Sequence, residues 1–152
     1  MNKWMKIAYE EAITGMSANH GGPFGAVIIK DNKVIAAAHN QVLKSKDPTA
    51  HAEINVIRKA SKILNNFDLS DCTLYTTCQP CPMCLGAIFW ARIKVVYYGA
   101  TKADAAKGGF DDHRFYEMMA GKNNEVSLKQ IDHQENAELF QQWNKKTDAQ
   151  QY

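Results

Sequence analysis

Two short stretches hold the side chains with the most chemistry: His51-Ala52-Glu53, and Pro80-Cys81-Pro82-Met83-Cys84. Cys81 and Cys84 stand three apart, so on one turn of helix both sulfurs face the same way and reach one ion. Pro80 or Pro82 suits the first turn of that helix. The N–H groups and positive dipole of a helix start lower a thiol's pKa and favour the thiolate, the form that ligates metal. Joined by one imidazole, two thiolates fill three tetrahedral positions around zinc and leave the fourth open for water, as in catalytic rather than structural sites. Glu53, two residues from His51, would point away from a metal on the helix flank. A metal off the helix end lets both side chains converge, with the carboxylate beside the water rather than on the ion.

Other readings of the cysteines stay open at this point. A lone C-x-x-C also suits thiol redox chemistry or a structural zinc knuckle, and Cys78, Cys81 and Cys84 form overlapping C-x-x-C units like part of an iron–sulfur run. Position 88, where that run wants a fourth Cys, is Ile88. Cys78 ends a predicted strand and reads as packing, as does Cys72. Four cysteines within thirteen positions of a chain long enough to fold without staples point to metal or redox chemistry rather than disulfides. His20, His39, His113 and His133 are assigned no role.

The elements that must carry these residues follow from pattern. Residues 25–30 and 33–39 flank the turn formers Asp31-Asn32 and predict a β-hairpin. Asp47-Pro48-Thr49 offers cap chemistry before a helix from near Ala50, with Ile54, Ile57, Ala60, Ile63 and Leu64 toward a sheet. Cys72–Thr77 alternates as a strand, a helix runs to about Ala91, and Val95–Tyr98 is a third buried strand candidate. Beyond Gly108-Gly109, residues 126–131 predict a further strand and Glu135–Lys145 a terminal helix. Strands alternating with helices imply a layered α/β fold in one domain spanning residues 1–152.

Composition narrows the function classes. Apolar residues make up 45% and charged residues 22% of 152, which fits a soluble globular chain rather than a disordered or fibrous one. No apolar run approaches the roughly 20 residues of a membrane helix. The opening pattern (Trp4, Ile7, Ala8, Ala12, Met16), interrupted by Glu10 and Glu11, lacks a signal peptide's apolar block. A cytoplasmic location and no membrane partner are expected. Residues 101–152 carry seven Lys and Arg against nine Asp and Glu, a surface ill suited to a polyanion, so no nucleic-acid partner is expected.

The pairing of H-x-E with P-C-x-x-C resembles the signature of zinc-dependent nucleobase deaminases. Gly22-Pro23-Phe24-Gly25-Ala26-Val27, Asp47–Glu53 and Leu74–Arg92 are similar to the cytidine-deaminase superfamily, and within it to the small bacterial guanine deaminases; the likeness covers most of the chain. It implies a three-layer α/β/α sandwich around a mixed five-stranded sheet and a homodimer. It implies one zinc per subunit on His51, Cys81 and Cys84, with Glu53 as the catalytic proton carrier. For the substrate, a small purine base, it implies Asn40 bonding the base, Phe24 and Trp90 lining the pocket, Asp112 reading the guanine edge, and Ala52 and Tyr152 also contacting it. The expected reaction is hydrolysis of guanine to xanthine and ammonia. Asp112 also suits a cap for a helix through 115–119, Asn40 a turn, and Phe24 and Trp90 plain core.

The tRNA adenosine deaminases share the zinc motifs. Where those enzymes usually carry a Gly-rich, Lys-bearing segment, this chain has Ala100–Ala106 and then Gly109-Phe110-Asp111-Asp112, which looks like the guanine enzymes. A cytosine or pterin deaminase, or a non-enzymatic zinc module closed by a fourth ligand such as Cys78, are further alternatives. Residues 132–152 read as a helix and tail that suit either a frayed end or a lid over the site, the chain's own or a partner subunit's: Leu139, Phe140 and Trp143 form an apolar face, and the polar stretch after them ends in the aromatic Tyr152.

Overall fold

The computed structural model describes residues 1–151. By internal contacts the chain divides into two compact units, the first ending at His113 and the second beginning at Arg114.

The first unit is built on strands β1 (Gly25–Lys30), β2 (Lys33–His39), β3 (Thr73–Cys78) and β4 (Val95–Ala100), in the order β2-β1-β3-β4. β1 runs antiparallel to β2 and to β3, and β3 parallel to β4. The predicted hairpin forms because Asp31 and Asn32 both accept positive φ (50° and 57°), which a tight two-residue turn requires. The alternating burial of β3 sends Leu74, Thr76 and Cys78 inward on one face.

Helices cover both faces of the sheet. Helix α1 (Lys3–Ser17) sets Trp4, Met5, Ile7 and Ala8 against Val27 and Ile29. Gly25 lets it approach: a Cβ there would lie 2.0 Å from the Ala8 carbonyl oxygen. After a short turn of helix, α2 (Val42–Ser45), come α3 (Ala52–Leu64) and α4 (Pro82–Trp90). Ala52, Val56, Ala60 and Ile88 pack on the opposite face with Ala26, Ile28, Ala36 and Leu74. Val56 takes the core position four residues from both Ala52 and Ala60, and Ile63, expected to face the sheet, is exposed. The parallel return from β3 to β4 passes through α4, the usual crossover for parallel strands. Helix α5 (Lys102–Lys107) was not anticipated; a reciprocal capping box between Thr101 and Asp104 starts it.

The sheet has four strands among the described residues, not five. Residues 126–131 alternate but pair with no strand, and Val126, Leu128 and Ile131 are 58%, 93% and 76% exposed. Alternation marks only which side chains would share a face; a strand forms where its backbone finds a ladder. The second unit holds most of α6 (His113–Met119) and all of α7 (His133–Lys145), neither with a buried residue. No helix among the described residues is long and apolar enough to cross a membrane.

Candidate active site

His51 is the residue before α3 and Cys81 the residue before α4, so each sits at a helix N-terminus; Cys84 lies one turn into α4. No side chain caps either helix start, which leaves N–H groups and positive dipole directed toward the side chains there. His51 Nδ1 is 3.6 Å from Cys81 Sγ and 3.5 Å from Cys84 Sγ, and the three donor atoms lie within 4.8 Å of one another. A tetrahedral zinc with S at about 2.3 Å and N at about 2.0 Å needs an S-to-N separation of about 3.6 Å. The donor set therefore fits zinc in element and in spacing.

The electrostatics agree. Cys81 is pulled down to about 4, first by the hydrogen bond from Cys84 and next by that from His51, while Cys84 is pushed up by the same sharing and by burial. His51 is raised, chiefly by its bond to Cys81. A thiol held as low as that of Cys81 is a thiolate near neutral pH, the form that ligates metal. Cys78 is not of this group: its thiol points to the Thr101 carbonyl oxygen, 3.7 Å away. No fourth protein ligand closes the site among the described residues, as a structural zinc module would require.

Glu53 is 5% exposed, and burial raises its carboxyl above the usual range. Thr76, fully buried in the centre of β3, donates to Glu53 Oε1 at 3.0 Å, and the Cys84 thiol lies 3.5 Å from Oε2. Thr76 was not foreseen. The available signal was a hydroxyl on the inward face of a central strand, which must find a partner.

His51, Glu53 and Cys81 open onto a cavity of about 570 Å³ that also receives Phe24, Asn40 and Asp112. Asn40 is 5% exposed, and its Oδ1 accepts from Val42 N–H at 3.1 Å, which leaves its amide nitrogen to donate. Phe24 meets Phe110, another unforeseen wall residue, edge to face at 4.9 Å. Asp112 is raised by burial. Gln79 and Lys102 also line the wall.

Two expected residues are not brought there. Trp90 is 59% exposed at the end of α4, against Phe89, and lies outside the cavity. The helical period explains it: Cys84 and Ile88 define the inward stripe of α4, and Trp90 falls off it. The Ala52 side chain belongs to the core. Tyr152 lies outside the described residues.

Residues 1–100 match the family model of the cytidine and deoxycytidylate deaminase zinc-binding region. The chain is 46% identical to guanine deaminase of Bacillus subtilis over 98% of its length and 97% of that protein, and that enzyme's crystal structure superposes with a TM-score of 0.94 over 100% and 99% of the two chains. A tRNA-specific adenosine deaminase of Buchnera aphidicola is 40% identical over 78% of each chain. A guanine deaminase structure from Nitrosomonas europaea, 31% identical, gives a TM-score of 0.67 over 72% of this chain and 64% of that one. The chain thus belongs to the cytidine and deoxycytidylate deaminase family of zinc-binding enzymes.

Proposed function

We infer that this chain hydrolyses guanine to xanthine and ammonia, with His51, Cys81 and Cys84 as zinc ligands and Glu53 as the catalytic proton carrier. The observation that carries the reading is the buried Glu53 carboxyl beside the His51/Cys81/Cys84 group at the floor of a cavity, in a chain alike over nearly its whole length to a guanine deaminase.

Bound there, zinc supplies Lewis acidity and brings the ionisation of water down toward about pH 7. The chain's own groups do the rest. Glu53 accepts a proton from the attacking water and delivers it to a ring nitrogen; a later transfer through the same carboxyl reaches the amino group. The water oxygen bonds to C2, the C2–amino bond breaks, and ammonia leaves. A ligating thiolate carries no proton, so Thr76 is then the side-chain donor that holds Glu53. Asn40 donates to the base, and Asp112 accepts from the N–H groups that guanine presents and adenine does not. Phe24 and Phe110 supply the apolar wall.

A homodimer is part of the proposal, with the C-terminal segment covering the site of the partner. Its support is α7, where Leu139 and Phe140 are exposed and no residue is buried. A cytoplasmic setting is supported by cysteines clustered for metal binding rather than paired in disulfides.

Glu53→Gln tests the assignment: zinc stays near stoichiometric while turnover falls by roughly 10²- to 10⁴-fold, typical of a general acid–base group. Zinc lost together with activity would make Glu53 a ligand. A tRNA anticodon stem deaminated faster than free guanine would overturn the substrate.

A further inference from the structure

A chain of three titratable side chains runs behind the cavity wall and takes no part in the mechanism above. Glu11 of α1 faces His39, the last residue of β2, with Oε2 2.7 Å from Nδ1; His39 Nε2 is 2.9 Å from His20 Nδ1. The imidazoles are 23° from coplanar with centroids 5.1 Å apart, so they meet edge to edge through nitrogen. Glu11 and His39 are 30% and 11% exposed.

The Glu11 carboxylate only accepts, so His39 Nδ1 donates to it. That bond fixes the orientation of the His39 ring, and one proton is shared between His39 Nε2 and His20 Nδ1. His20 is held below its ordinary range by desolvation, and next by Lys44 and His39.

Both imidazoles of the chain reach Asn40. His39 is its neighbour in sequence, and the His39 carbonyl accepts from the Asn55 amide at 3.0 Å. The His20 carbonyl accepts from Leu43 and Lys44 N–H, each at 3.0 Å, so it anchors α2. The first residue of α2, Val42, holds Asn40 Oδ1. Gly21, next to His20, lies so close to Asn40 that a Cβ there would fall 2.0 Å from Oδ1. Gly15 of α1 admits the His39 ring, since a Cβ there would be 2.4 Å from its Cδ2.

We propose that Glu11, His39 and His20 form a hydrogen-bonded positioning chain that sets the Asn40 amide and the Gly21–Gly22 wall for the base, and so controls guanine affinity from outside the cavity. This rests on Asn40 as a donor to the base. None of the three is a catalytic residue; they act through Asn40.

The test is steady-state kinetics on the zinc-loaded enzyme. Glu11→Leu removes the terminal acceptor, and the expected result is a guanine KM higher by about tenfold, the scale of one charge-assisted hydrogen bond, with kcat within about twofold. Glu11→Gln keeps an acceptor oxygen and restores KM. A purely structural role would instead lower melting temperature and kcat without rescue, and that result overturns the proposal. Asn40→Ala raises KM by itself, and adding Glu11→Leu to it raises KM less than about twofold further, because both act at one contact. Full additivity overturns the chain while leaving Asn40 as the donor. Unchanged kinetics in Asn40→Ala overturn the donor and the chain together. Should Glu11→Leu not fold, His20→Leu breaks the same chain at its other end and is read in the same way.

Discussion

Thr76→Val separates orientation of the proton carrier from everything else at the site. Valine keeps the shape of threonine and its strand preference, so the change is a hydroxyl lost from a fully buried position, where it donates to Glu53 Oε1 at 3.0 Å. Leaving a buried acceptor unmatched costs about 1–3 kcal/mol, more when it is charged. Each 1.4 kcal/mol or so of lost transition-state stabilisation is tenfold in rate, so kcat should fall roughly 10- to 100-fold. Zinc content should not change, since Thr76 is not of the His51/Cys81/Cys84 group. Thr76→Ser is the control: it keeps the donor and gives up a buried methyl, worth about 1 kcal/mol of stability. Guanine turnover, metal analysis and thermal unfolding on the three proteins decide the matter. Valine with unimpaired kcat, or serine as impaired as valine at equal zinc content, would refute the reasoning, because the hydroxyl would then not hold Glu53.

Cys84→Ser should release most of the zinc and all measurable turnover, checked by metal analysis after dialysis, since a hydroxyl does not replace the buried thiolate. Asp112 stands above the ordinary carboxylate range through burial first and then the charges of Cys81 and Asp111. Guanine KM should therefore begin to rise at a higher pH, as the medium is acidified, than an ordinary carboxylate would give; Asp112→Asn should bind poorly throughout and show no such limb. His20, with its folded pKa below the usual 6.5, contributes stability that is complete well above pH 6.5 and lost as pH falls through that region. The drop in melting temperature between pH 7.5 and pH 5 should then be smaller in His20→Gln. Deleting residues 148–152 should lower guanine turnover with zinc retained; full activity would remove the covering role of the tail.

The parts of the fold that were legible are those where local chemistry and long-range packing agree. Asp31-Asn32 favours a turn whatever surrounds it, and Pro82 favours a helix start that sets Cys81 and Cys84 on one side. Residues 126–131 were misread because period-2 alternation cannot report whether a ladder is available. The resemblance assigns Trp90 to the pocket, whereas its helical phase leaves it exposed and off the cavity lining in this chain. Cys81 and Cys84 were legible as a pair because their spacing is itself the geometry, and the resemblance joined His51 to them. Thr76, Phe110 and the Glu11–His39–His20 chain were not, since each depends on residues distant in sequence meeting across layers, as Thr76 and Glu53 do over 23 positions.

Sheet register explains why those meetings fall at one place. Gly25 opposes His39 across β1 and β2, Ala26 opposes Thr76 across β1 and β3, and Cys78 pairs with Ala100 across β3 and β4. Because β1 is antiparallel to both neighbours, its start lies level with the ends of β2 and β3, and parallel pairing brings the end of β4 to the same edge. The segments just beyond those ends supply Phe24, Asn40, Gln79 and Lys102 to the cavity, and α3 and α4 begin beside it with His51 and Cys81. A crevice at the carboxyl ends of strands is where α/β sheets bind ligands. Here one antiparallel strand adds its amino end, and through it Phe24 and the glycine wall that the Glu11–His39–His20 chain holds. On the proposed function, substrate affinity and metal chemistry draw on opposite faces of one sheet edge: the α1 side bears on Asn40 through the His39 ring, and the starts of α3 and α4 bear on the metal group. Changes to the first should therefore appear in KM and changes to the second in kcat and metal content.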